Sequence, residues 1–171
     1  INCGIERCTT KYFMLLHSGD VLTIDSDKII LLLLKMSTNH LDLILGNQKI
    51  DFLGIKRNHS SKYWKPWMFD FGAQPPHLPI IYNLPFVKKI YYSTEYKIIS
   101  DFIYLKELFG LNPKYQKIDL FMVEMIGGGK TTNGVKSYFD VSLELIRYFG
   151  IIKGLIISAL RIPFKFLQML R

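Results

Sequence analysis

No stretch of this chain stays apolar for more than six residues, the longest run being residues 29–34. A membrane-spanning helix needs about 20 consecutive apolar residues. Even the apolar C-terminal stretch IIKGLIISALRI is interrupted by Lys153 and Gly154. Yet hydrophobic residues make up 49% of the sequence. Much apolar content in short pieces is the pattern of a core assembled from several short elements, and 171 residues is the size of one domain, or of one small domain with an appendage. The first residues carry Glu6 and Arg7 and no long apolar block, so neither a secretion signal nor an intact transit peptide is expected.

Turn chemistry divides the chain. Residues 12–16 and 21–24 read as two strands hinged on Ser18-Gly19-Asp20, because glycine tolerates positive φ and Asp bonds its own backbone. The pair is expected to form a hairpin. Residues 28–34 and 41–45 continue as extended segments, with turns at residues 37–39 and 46–47. Four of the seven prolines fall within residues 71–85, which marks residues 56–85 as a loop or extended arm. Ser100 is placed as the N-cap of a helix closed by Gly110. Ser137, with Asp140 three residues on, starts a second helix that Gly150 stops. Residues 151–171 are helical in pattern, kinked or ended near Pro163.

The chain carries 22 Lys and Arg against 14 Asp and Glu, a net charge of +8. Such a surface attracts phosphate backbones or anionic lipid. The best concentrated signal is KRNHSSKYWKPW: Lys56, Arg57, Lys62 and Lys65 can neutralise phosphates, while Tyr63, Trp64 and Trp67 offer faces on which unstacked bases lie. Packing of the tryptophans into the core is the competing use of the same residues. The tail is a second basic element, with Lys153, Arg161, Lys165 and Arg171 spread through apolar residues and no acid after Glu144. It can face a membrane, a protein or RNA.

Other chemistry is thin. IGGGKTT, residues 126–132, follows an apolar run as a phosphate-cradling loop does, but Glu124 stands where that loop needs its first glycine. Cys3, Cys8 and His17 lack the second ligand pair of a structural zinc site, so two reduced or buried thiols and no metal are expected. His17, His40, His59 and His77 are scattered without ligand spacing, and no nucleophile turn or acid–base carboxylate pair stands out. No catalytic residue, cofactor or small-molecule substrate is expected.

INCGIERCTTKYFMLLHSGDVLTID, residues 1–25, resembles the second half of the RNA-binding module in the small-subunit ribosomal protein four family. Asn2 with Gly4, then Tyr12, Gly19-Asp20 and the alternating residues 21–24 occupy the places of that family's motif. PPHLPIIYNLPFVKKIYY, residues 75–92, looks like the strand by which the family's chain returns to the body. The resemblance implies an α+β protein: a β-hairpin of an RNA-binding module, then a β-rich body, then C-terminal helices. Its segments would be the half-module at residues 1–25, an insertion with the basic and aromatic arm at 26–74, return strands and a helix at 75–110, and a helical extension at 111–171.

The implied role is structural, with Asn2, Gly4, Gly19 and Asp20 shaping turns and Arg7 and Lys11 joining the arm and tail in touching rRNA. The expected place is the small ribosomal subunit of mitochondria, which also suits a composition biased as in AT-rich genomes. Partners would be rRNA, neighbouring ribosomal proteins and, for the helices that precede the hairpin in the family, a separate polypeptide carrying the N-terminal half. The alternative is an accessory peripheral subunit of a respiratory or ATP-synthase complex, lying on the inner membrane through residues 150–171.

Overall fold

The computed structural model describes the backbone of residues 1–52, 55–126 and 134–169, and the side chains of residues 1–51, 56–126 and 138–161. The α+β class holds: a mixed sheet is covered by helices, and the chain closes with two of them. The elements are α1 (Asn2–Arg7), β1 (Tyr12–Phe13), β2 (Val21–Leu22), α2 (Ser26–Thr38), β3 (Leu43–Phe52), β4 (Ile55–His59), a 3-10 helix (Pro66–Phe71), β5 (Ile80–Asn83), α3 (Leu84–Val87), α4 (Ser100–Gly110), β6 (Tyr115–Ile126), α5 (Gly134–Phe149) and α6 (Ile151–Met169).

The sheet has six strands in the order β1-β5-β3-β6-β2, with β4 pairing the far half of β3. β3 is its spine. It pairs antiparallel with β5 through Leu43–Leu45, antiparallel with β4 through Gln48–Phe52, and parallel with β6 along its other edge. A parallel neighbour cannot be reached by a tight turn, so the chain between β3 and β6 contains β4, β5 and α4. Strand alternation then builds two cores. Leu43, Leu45, Ile80 and Tyr82 face α4, the 3-10 helix, α5 and α6, whereas Ile44, Ile81 and Met122 face Met36 of α2. Gly46 sits where the strands press closest: a Cβ there would lie 2.4 Å from Met122 Sδ and 3.2 Å from the Pro79 carbonyl oxygen.

Several expectations need correction. β1 and β2 do not form a hairpin. β1 pairs with β5 and β2 with β6, at opposite ends of the strand order, so the turn between them spans the sheet. Residues 28–34 belong to helix α2, because a short apolar run carries no period of its own and neighbours decide its form. Asn2 and Gly4 lie in α1, where the Asn2 side chain donates to the Tyr92 carbonyl at 2.9 Å and accepts from its N–H at 2.8 Å. Residues 56–67 are no free arm, since β4 and the 3-10 helix take half of them and Ser61 and Trp64 between are buried. Residues 111–171 are not all helical, because β6 lies inside the sheet. Ser100 is the first residue of α4, not its cap, and α5 begins before Ser137. Both thiols are free, as the reduced alternative has it, with Cys3 exposed and Cys8 half-buried. Residues 127–132, which hold the glycine run, lie outside the described residues.

Candidate active site

The Ser-Gly-Asp corner is real, and it is a turn of defined type. The Asp20 N–H donates to the His17 carbonyl at 3.1 Å and Gly19 has φ +92°, which places the glycine where a type II turn needs it. The Asp20 carboxylate closes the turn by accepting from the His17 N–H at 2.9 Å. His17 therefore stands on a fixed corner, facing the segment that leads into β5.

That segment carries His77 between the buried Pro76 and Leu78. The His17 and His77 rings lie 5.9 Å apart, centroid to centroid, and His77 Nε2 lies 3.7 Å from Asp101 Oδ2. Burial holds the His77 ring below the usual histidine range, with His17 pushing the same way and the Asp101 and Asp20 carboxylates opposing. Burial, with a smaller push from His77, also depresses His59 to about 4. Both imidazoles are thus neutral at pH 7 and can accept a proton. Asp101 further raises the Tyr92 phenol, second to burial, partly through a hydrogen bond. Tyr92 stacks on Tyr104 with ring centroids 3.9 Å apart.

Asp101 is positioned from a distance. It occupies the first turn of α4, and the N–H groups of Lys97, Ile98 and Ile99 leading into that turn all donate to the Glu144 carboxylate of α5, at 2.9–3.0 Å. An anion at a helix start satisfies orphan amides and suits the helix dipole. Glu144 thereby fixes where α4 begins and where Asp101 points. Beside the pair opens a cleft of about 190 Å³ whose walls include Gln74, Ile99, Tyr138, Leu145 and Arg161. One ligand atom each from His17, His77 and Asp101 lie within 4.8 Å of one another, which fits a divalent cation bound by two imidazoles and a carboxylate. An ion held there would occupy the same His77 lone pair that a proton would, so the two uses of the corner exclude one another.

The residues expected to bind RNA are dispersed. Arg7 and Lys11 are exposed near α1 and β1, and the Lys11 ammonium lies 5.2 Å from the Tyr12 ring. Lys56 pairs with Glu124 at 3.1 Å, and Arg57 is half-buried on β4. Trp64 is in the core, its ring 4.9–5.0 Å from Phe69 and Phe109 and its N–H donating to the Ala73 carbonyl. Lys62, Tyr63, Lys65 and Trp67 are exposed. Lys153 lies over Phe149 and 3.4 Å from Asp70, whereas Arg161 lines the cleft. The Lys165 side chain and Arg171 fall outside the described residues. No helix among the described residues is long and apolar enough to cross a membrane.

No family model and no curated protein matches the chain. Solved structures do match. Among them is S. aureus TarS (residues 1–349), a glycosyltransferase, with a TM-score of 0.56 at 13% identity over 85% of this chain and 43% of that one. This chain therefore spans less than half of that TarS structure, and the likeness is one of fold. It corrects the expectation of a non-catalytic chain: the fold here is one that an enzyme uses. Sequence reasoning missed His17, His77 and Asp101 because they are 24 or more residues apart and meet only when β5 and α4 are in place. The turn at Gly19 was the one local clue.

Proposed function

We propose that the chain forms part of a glycosyl-transfer site, in which the His77–Asp101 pair takes the proton from an acceptor hydroxyl. The single observation that carries this reading is the pair itself: a largely buried imidazole 3.7 Å from a carboxylate, at the edge of a cleft, in a fold shared with a glycosyltransferase. As the acceptor oxygen bonds to the sugar's anomeric carbon, the bond to the leaving group breaks and its electron pair departs with that group. The hydroxyl proton passes to His77, and the Asp101 charge stabilises the ring as it becomes cationic. The separation exceeds a hydrogen bond, and the reading requires it to shorten once an acceptor is bound.

The test is transfer of radiolabelled sugar from a panel of nucleotide sugars to hydroxyl acceptors by the full-length protein. Asp101→Asn keeps the shape and removes the charge, and it should lower turnover by about 10²- to 10⁴-fold while melting stays cooperative. Turnover unchanged in both Asp101→Asn and His77→Gln would refute the assignment.

A second reading rests on a different surface. Tyr63 and Trp67 are 80% and 58% exposed, and Lys62 and Lys65 stand beside them in the open. That strip supports contact with RNA, as the ribosomal resemblance implies. Nuclease-sensitive sedimentation with ribosomal particles, lost when Lys62, Tyr63 and Lys65 are replaced together by Ala, would favour it.

A further inference from the structure

Arg161 is the one tail cation that the fold turns inward among the described residues. Arg161 lines the cleft together with Gln74 and Tyr138, and its stem passes close enough to Gly72 that a Cβ there would lie 3.7 Å from Arg161 Cδ. All fourteen acids of the sequence lie among the described residues. None of them makes an ion pair with Arg161; Asp70 pairs with Lys106 and Lys153, Glu95 with Arg147, and Asp101 lies against the neutral His77 ring. Burial pulls the Arg161 pKa down, as expected for a cation losing water without a counter-charge, and the opposing influence is Tyr138. The Tyr138 hydroxyl is itself engaged, donating to the Ser158 carbonyl. On the same wall Gln74 has a buried side-chain oxygen with no hydrogen-bond partner among the described residues.

A partly buried guanidinium and an unpaired amide oxygen both cost free energy unless something fills the cleft between them. The cleft mixes apolar walls, among them Ile99, Phe102 and Leu145, with these polar groups. Asp101, His77 and Arg161 all line it, and burial and Tyr138, not Asp101, act on the Arg161 charge. Its volume of about 190 Å³ is below the ~300 Å³ at which ordinary small-molecule pockets begin, so it admits one functional group or one ring rather than a whole nucleotide. Resting on the transfer reading above, we infer that the acceptor is a hydroxylated molecule bearing an oxyanion, phosphate or carboxylate. Arg161 takes the anion, Gln74 accepts from a neighbouring hydroxyl, and the reacting hydroxyl lies towards His77 and Asp101.

The experiment is calorimetric titration of the full-length protein, at constant ionic strength, with glucose, glucuronate and glucose 6-phosphate, and with inorganic phosphate and acetate alone. Glucuronate or glucose 6-phosphate should bind at least about tenfold more tightly than glucose, the scale of one charge-assisted contact. Arg161→Gln should erase that difference and Arg161→Lys should keep part of it. Lys153→Gln removes the same charge from the same helix outside the cleft and should change nothing, which separates a site from the general attraction of a basic protein. Preference for the free anions over both charged sugars would mean a bare anion site and overturn the acceptor assignment. Equal affinity for the three sugars would overturn it too, as would a preference that survives Arg161→Gln. Should Arg161→Gln fail to fold, Gln74→Leu takes its place: it should weaken binding of the charged sugars while leaving acetate unaffected, and unchanged sugar binding counts against the inference. These titrations need no turnover. Anion-dependent binding without sugar transfer would sink the transfer reading alone, and transfer with indifference to charge would sink this inference alone.

Discussion

The corner made by His17, His77 and Asp101 and the segment from Lys56 to Trp67 invite opposite readings from sequence and from structure. In the sequence the segment is conspicuous, with four cations and three aromatics within residues 56–67, whereas the corner is invisible. In the fold the segment divides its labour. Trp64 anchors the core, the exposed Lys56 answers Glu124, and Lys62, Tyr63, Lys65 and Trp67 face water. The corner does the reverse and gathers ionisable groups from a turn, a strand approach and a helix start into contact. Residue types crowded along a chain are easily explained by packing and solubility. Ionisable groups brought together from afar, at the cost of desolvation, need another reason, and chemistry is the usual one.

Substitutions can break that comparison. The largest effect belongs to the corner: Asp101→Asn should remove most transfer activity, by about 10²- to 10⁴-fold, and leave folding intact. Next is Trp64→Ala. It empties a site against Phe69 and Phe109 and removes a hydrogen bond to Ala73, so it should cost about 3–5 kcal/mol in denaturant titration. Trp67→Ala, three residues on and exposed, should stay within about 0.5 kcal/mol. If the two tryptophans cost the same, the division of the segment into core and surface is wrong.

Glu144→Ala comes next and links the two kinds of evidence. Three backbone donors lose their shared acceptor, which should cost about 2–3 kcal/mol. It should also loosen the start of α4, seen as faster amide exchange at residues 97–99 than elsewhere in the helix. Stability unchanged, with those amides still protected, would mean that α4 does not depend on α5 for its start.

The coarse architecture was legible from residue types alone. The turn at Gly19, the stop at Gly150 after α5 and the α+β class follow from local rules that the fold respects. What was not legible depends on partners. Residues 29–34 became helix because Met36, Leu32 and Leu33 pack on the sheet face that Ile44 and Met122 present. β1 and β2 failed to pair because β5 and β6 offered the edges they needed. The same dependence hid the site. Asp101 looked like an ordinary first-turn acid, and His77 like one more loop histidine, until the strand order set them side by side.

The last prediction tests whether the histidines near the corner are neutral, as the proton-accepting role requires. His59 falls to about 4 and His77 is also depressed, both chiefly by burial, while each returns to about 6.5 when the chain unfolds. A depressed folded pKa means that the unfolded chain binds the proton first. Stability is therefore complete above about pH 6.5 and declines as pH falls towards 4. For His59 the loss can reach about 3 kcal/mol, spread over that window rather than concentrated at one pH. His59→Asn keeps a polar ring-sized group without the titration and should flatten the slope between pH 6.5 and 4, with little change at pH 8. A slope that is identical in wild type and variant would show His59 to be solvated in the fold. Burial is also the leading cause of the His77 depression, which would then be in doubt beside it.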